Sequence, residues 1–134
     1  SKSYHNDIAI SSTAAELADK VKLMVTDPQR IRKTDKGNPE VCTVYTYHSI
    51  YNAPGLEETE RACRAGEIGC VQCKKHLAKK MQESLEPIWE KRAELEKKQG
   101  YLEEIILEGD NKARAAAGAT LDAVYGAMGM RQGK

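Results

Sequence analysis

The sequence predicts an all-α fold, a helical domain preceded by a short non-helical segment. Three observations lead there. A capping box precedes apolar residues at helical spacing in residues 13–25, and a long run from Cys70 to about Glu108 repeats apolar residues at three-, four- and seven-residue intervals. No convincing strand pattern remains from which to build a sheet.

The first helix reads from TAAELADKVKLMV. Thr13 is placed as cap with Glu16 three residues later, and Leu17, Val21, Met24 and Val25 form the apolar stripe. Thr26-Asp27-Pro28 stops it. A basic connector, QRIRKTDKGN, leads to Gly37-Asn38-Pro39, which reads as turn, cap and first helical position. A second helix is expected from Pro39 to about Tyr51, with Val41, Val44, Tyr45 and His48 on one face, although VCTVYTYHSIY also carries β-branched and aromatic residues suited to a strand. Asn52–Gly55 is expected as a loop, followed by a short helix, LEETERACRA, that stops at Gly66. Pro87 and Gly100 predict a kink or break in the long run, and Gly109-Asp110 is expected to start a last helix with Leu121, Val124 and Met128 on its apolar edge.

Composition narrows the function. The 134 residues contain no Phe and one Trp, 31% are charged, and the net charge is +1, so overall charge does not announce a nucleic-acid binder. Local basic patches would have to supply that. No run approaches the length of a membrane span, and SKSYHNDIAIS lacks a signal-peptide core, so the expected compartment is the cytosol. There, reducing conditions disfavour disulfides.

The four cysteines then need another explanation. Cys42, Cys63, Cys70 and Cys73 are spaced C-x20-C-x6-C-x2-C, with Gly66 and Gly69 inside the loop. Two thiolates three residues apart face one centre from a single helical turn, and four thiolates suit either a tetrahedral zinc or an iron-sulfur cluster. With all four engaged, no position is left for a substrate, so such a centre is structural. His48 and His76 read as packing or surface residues, since the thiolates already complete a set.

An ordered series of short segments carries a family resemblance: SKSYHN at 1–6, TDP at 26–28, GNPEVC at 37–42, GCVQCKKHL at 69–77 and ARAAAGATLDAVYGAMG near the end. Together they resemble the C-terminal part of bacterial tryptophanyl-tRNA synthetases, which are class I enzymes. The resemblance implies that residues 1–12 close the catalytic domain at its KMSKS loop and that residues 13–134 form the helical anticodon-binding domain. It implies tryptophan-tRNA ligase activity with ATP and Mg for the full enzyme, a cytoplasmic homodimer, and an inactive fragment when this part stands alone. Lys2 would be catalytic there, its ammonium offsetting charge on the ATP phosphates, while Ser1 and Ser3 would help hold the ATP-binding loop.

The same resemblance bears on the metal. A subset of the family holds a 4Fe-4S cluster on a C-x(about 22)-C-x6-C-x2-C arrangement, and here the last two gaps agree while the first is 20. It therefore favours the cluster over zinc. The tRNA(Trp) partner would be met by Arg30, Arg32 and Lys33 in the connector, Arg64 within the cysteine loop, and Lys74 and Lys75 after it, as cations for phosphate. A zinc-stapled helical interaction module and an electron-transfer iron-sulfur protein are the alternatives, the second weakened by the absence of closely repeated C-x2-C-x2-C.

Overall fold

The computed structural model describes residues 7–130, so the candidates Ser1, Lys2 and Ser3 lie outside the described residues. The described chain is helical, without strands. Its elements are α1 (Ala14–Leu23), a 3-10 turn (Pro39–Val41), α2 (Thr43–Tyr51), a second 3-10 turn (Ala53–Gly55), α3 (Leu56–Ala65), α4 (Cys70–Glu96) and α5 (Tyr101–Ala127). The chain divides into two compact units, residues 1–90 and 91–134.

In the first unit, α1 begins as its sequence dictates. The Thr13 hydroxyl accepts from the Glu16 N–H, and the Glu16 carboxylate accepts from the Thr13 N–H at 2.8 Å, which satisfies donors that the helix leaves unpaired. Leu17 and Val21 from this helix, Val44 from α2, and Leu77, Met81 and Leu85 from α4 form the buried core. Without phenylalanine, that core is built from aliphatic and thioether side chains, with Tyr47, Tyr51 and Trp89 packed at its margin. The Trp89 indole N–H donates to the Ile10 carbonyl at 2.7 Å and so fastens the segment before α1 to α4.

Three expectations are corrected. The second helix is not continuous from Pro39: Asn38 caps a three-residue 3-10 turn, Cys42 is extended (φ −100°, ψ 112°), and the α-helix restarts at Thr43. Restarting the helix rotates Val41 off the buried face, and it is 56% exposed. Asn52–Gly55 is more ordered than a loop, since Ala53–Gly55 closes a 3-10 turn.

The third correction concerns the long helices. α4 runs through Pro87 without interruption, and the break falls after Glu96, where Gly100 (φ +83°) adopts the left-handed conformation ahead of α5. α5 then continues straight through Gly109, so no new helix starts there. One glycine lowers helix propensity by only about 1 kcal/mol, which the surrounding Ala, Leu and Glu residues offset. In the second unit α5 carries pairs one turn apart, Lys112–Glu108 at 2.6 Å and Arg114–Asp110 at 2.8 Å, while Leu102, Ile106, Leu121, Val124 and Met128 are exposed.

Leu77 is fully buried at the centre of the first unit. Leu77→Ala is expected to lower the unfolding free energy by about 2–5 kcal/mol, and Thr13→Ala by about 1 kcal/mol. Urea unfolding followed by circular dichroism measures both, and equal midpoints for the two variants would contradict this placement of the core.

Candidate metal centre and flanking cationic surface

The four cysteines sit where helices begin and end. Cys42 caps α2, Cys63 lies in the last turn of α3, Cys70 opens α4, and Cys73 follows one turn later with its N–H on the Gly69 carbonyl. Cys42 and Cys70 therefore occupy helix N-termini, where aligned peptide dipoles favour negative charge. All four are free and half-buried.

The bends between them have identifiable causes. Gly66 ends α3 at φ +74°, and its N–H returns to the Cys63 carbonyl while the N–H groups of Glu67 and Ile68 return to Ala62. A Cβ at Gly66 would lie 2.5 Å from the Thr34 carbonyl oxygen. Gly37 is equally confined. Its N–H donates to the Cys63 carbonyl at 3.0 Å, and a Cβ there would stand 2.5 Å from the Cys63 sulfur. Glycine at 37 therefore leaves the space that the sulfur occupies.

The sulfurs lie within electrostatic reach of one another. Burial, reinforced by repulsion from Cys42, Cys63 and Cys70, pushes the Cys73 thiol up to about 12. Burial likewise raises Cys63, with Arg30 opposing and Cys42 and Cys70 adding to the rise. Cys42 thus acts on two of the other three thiols although the chain separates it from them by 20 or more residues. Among the described residues no group of three or more His, Cys, Asp or Glu side chains is arranged to hold a metal ion, so the sulfurs are neighbours rather than a ready-made cage for one ion.

His48 backs this cluster. It is fully buried, with Nε2 3.3 Å from the Cys73 carbonyl oxygen and 3.4 Å from the Cys73 sulfur, and with Nδ1 3.3 Å from the Asn52 amide nitrogen. The Asn52 amide also donates to the Thr59 hydroxyl, which donates to the Gly55 carbonyl. These partners fit a neutral ring with its proton on Nε2. Burial lowers the His48 pKa, against the opposing pull of the Cys73 carbonyl.

The predicted tRNA-binding cations divide into three groups. Arg30 turns inward: Nη2 donates to the Lys33 carbonyl at 2.7 Å and the Ile68 carbonyl at 2.6 Å, and Nη1 lies 3.7 Å from the Cys63 sulfur and 3.9 Å from that of Cys70. Arg64 is exposed but engaged with two carboxylates, Glu60 at 2.9 Å and Glu40 at 3.3 Å. Arg32, Lys33, Lys74 and Lys75 face two hollows on either side of Val71. Arg32 and Lys33 line one of about 290 Å³ together with Gly69 and Cys70. Lys74 and Lys75 line the other, of about 300 Å³, with Lys22, Asp19, Ala18 and Ala78, and Lys74 Nζ donates to the Lys22 carbonyl.

Sequence reading missed the inward turn of Arg30 and the contact of His48 with Cys73. It also missed Asp27, a buried carboxylate that accepts from the N–H groups of Gln29 at 2.9 Å and Asn38 at 2.8 Å and so closes the connector. Only Asp27 left a local signal, as an Asx turn ahead of proline.

Residues 1–86 match the family described as tRNA synthetases class I (W and Y). The chain belongs to that family. Within it, the chain is 44% identical over 132 residues to the tryptophan–tRNA ligase of Aquifex aeolicus, and 40% identical over 133 residues to that of Thermotoga maritima. Each alignment covers 97% of this chain but only 33% and 40% of the relative, so the chain spans between a third and two fifths of these curated relatives. The tryptophanyl-tRNA synthetase of Campylobacter jejuni superimposes with a TM-score of 0.84 at 27% identity, covering 97% of this chain and 42% of that one. A second structure of that enzyme, with ADP and tryptophan, gives a TM-score of 0.85.

Gly66→Ala meets both a positive φ and a backbone oxygen, and is expected to destabilise the first unit by more than about 1 kcal/mol. Gly100→Ala, at a positive φ with nothing within 4 Å, should cost less. Thermal unfolding of the two variants side by side checks the order, and a reversal would mean that the cysteine loop is not held against Thr34.

Proposed function

We propose that the chain is the anticodon-binding part of a tryptophan-tRNA ligase, whose complete form joins L-tryptophan to tRNA(Trp) at the expense of ATP, releasing AMP and diphosphate. The observation that carries this reading is the alignment of nearly the whole chain with ligases of that name. ATP and Mg would serve the catalytic portion, with Lys2 offsetting phosphate charge and Ser1 and Ser3 supporting its loop. The homodimer belongs to that complete enzyme.

Two hollows flanked by cations suit single-stranded RNA, which presents phosphates together with splayed bases. In this reading Arg32 and Lys33 take phosphate on one side of Val71, and Lys74 and Lys75 on the other. Val71 is 70% exposed and offers an apolar surface between them. Arg64 contributes less, because Glu60 and Glu40 already share its charge.

We further infer that the four thiols hold a 4Fe-4S cluster. The donor set is chemically suited to it, Gly37 leaves room beside Cys63, and a cubane holds its thiolates farther apart than a single tetrahedral ion does. When bound, the cluster supplies cross-linking: it would tie the start of α2, the end of α3 and the start of α4 beneath the cationic rim. Zinc is the competing occupant, since four thiolates also suit it.

Anaerobic reconstitution with iron and sulfide should yield about four irons per chain and an absorbance band near about 400 nm. Colourless protein with one zinc would replace the cluster reading. In the complete enzyme, Lys75→Ala and Arg32→Ala are each expected to weaken tRNA(Trp) binding and to reduce the salt slope of the affinity by roughly 0.7 to 1, with tryptophan activation unchanged. Unaltered affinity in both variants would remove this surface from tRNA contact.

A further inference from the structure

Arg30 is a half-buried cation whose hydrogen bonds go to two carbonyls and two sulfurs, and among the described residues it forms no ion pair with a carboxylate. Its Nε is buried without a hydrogen-bond partner. A guanidinium in that position, held between the connector and the thiol loop, is stable when something nearby carries negative charge. Four thiolates around Zn²⁺, or around the oxidised cubane core, leave a net dianion. Cys63 and Cys70 are the two sulfurs that Arg30 Nη1 faces.

We propose that Arg30 is the internal counter-cation of the thiolate centre, positioned by the Lys33 and Ile68 carbonyls so that Nη1 points at the sulfurs of Cys63 and Cys70. This rests on the thiol-centre reading above. The fork geometry explains the use of arginine: Nη2 is occupied by two carbonyls while Nη1 remains directed at sulfur, which a lysine ammonium cannot do from one fixed orientation. The cation offsets the charge of the loaded centre, and donation to sulfur withdraws electron density from it. Of the centre itself Arg30 meets only the ligand sulfurs, so its role is positional and electrostatic.

The test compares the full chain with Arg30→Gln and Arg30→Lys after anaerobic reconstitution with ferrous iron and sulfide. Arg30→Gln is expected to release iron to a chelator about 10- to 100-fold faster than the parent, and to show a more negative midpoint potential. Arg30→Lys, which keeps the charge and loses the fork, should restore most of the potential and only part of the retention. Loosening of the loop alone would speed release equally in both variants without rescue of the potential, and that result overturns the proposal. So would an Arg30→Gln chain that holds iron as long as the parent at an unchanged potential. If Arg30→Gln fails to fold, the parent against Arg30→Lys decides: a retained potential with faster release supports the counter-cation, and identical release refutes it. A parent that takes up zinc in place of iron overturns the cluster, and the same variants are then compared on zinc release to a chelator. A parent that takes up neither overturns both readings.

Discussion

The first unit depends on how the connector between α1 and α2 is held against the loop between α3 and α4. Asp27 begins the hold. Its two carboxylate oxygens accept from the backbone N–H groups of Gln29 and Asn38, two and eleven residues further on, so the connector closes on itself before meeting anything else. Arg30 then reaches the Ile68 carbonyl, and Gly37 reaches that of Cys63. Each contact satisfies a polar group that would otherwise be buried unpaired, and this sets the cost of breaking it. The apolar core of α1, α2 and α4 holds those helices together, but hydrogen bonds from the connector fix where Cys63 and Cys70 stand.

His48 serves the same end from the other side. A fully buried imidazole between Asn52 and Cys73 links the 3-10 turn after α2 to the first turn of α4. The chain from His48 through Asn52 and Thr59 to the Gly55 carbonyl is satisfied at each step, so this buried polar network specifies an arrangement instead of weakening it. Tyr45 adds a link at the surface, its hydroxyl donating to Glu60 at 2.6 Å and so joining α2 to α3.

What the sequence made legible follows from the range of each interaction. The capping box at Thr13 and Glu16, the stop at Gly66 and the break near Gly100 all arise within four or five residues, and each is readable as a local pattern. The apolar spacing from Cys70 onward likewise predicted a helix there, and Leu77, Met81 and Leu85 are its buried residues while Ile88 is exposed. The restart of the helix at Thr43, after an extended Cys42, was not legible, because Asn-Pro-Glu starts either a 3-10 turn or a longer helix and tertiary contacts decide which. Arg30 is the sharpest case. Its partners lie 33 and 40 residues away, and nothing in QRIRK distinguishes the arginine that turns inward from those that stay in solvent.

That division within one short basic run bears on the candidate surface itself. Arg30, Arg32 and Lys33 are near neighbours in sequence, yet the backbone directs the first towards sulfur and leaves the other two exposed beside the same hollow. The stem of Lys33 lies over Gly69, where a Cβ would come 3.1 Å from its Cγ, so the side chain crosses the thiol loop before its ammonium meets solvent. A centre that fixed Cys63 and Cys70 would therefore fix the carbonyl of Ile68, through it the guanidinium of Arg30, and through the Lys33 carbonyl the segment that displays Arg32 and Lys33. The path from the sulfurs to the cations would then run through two hydrogen bonds on one nitrogen. In the proposed reading, a bound centre would act on the cationic rim in this way without touching RNA and without changing oxidation state.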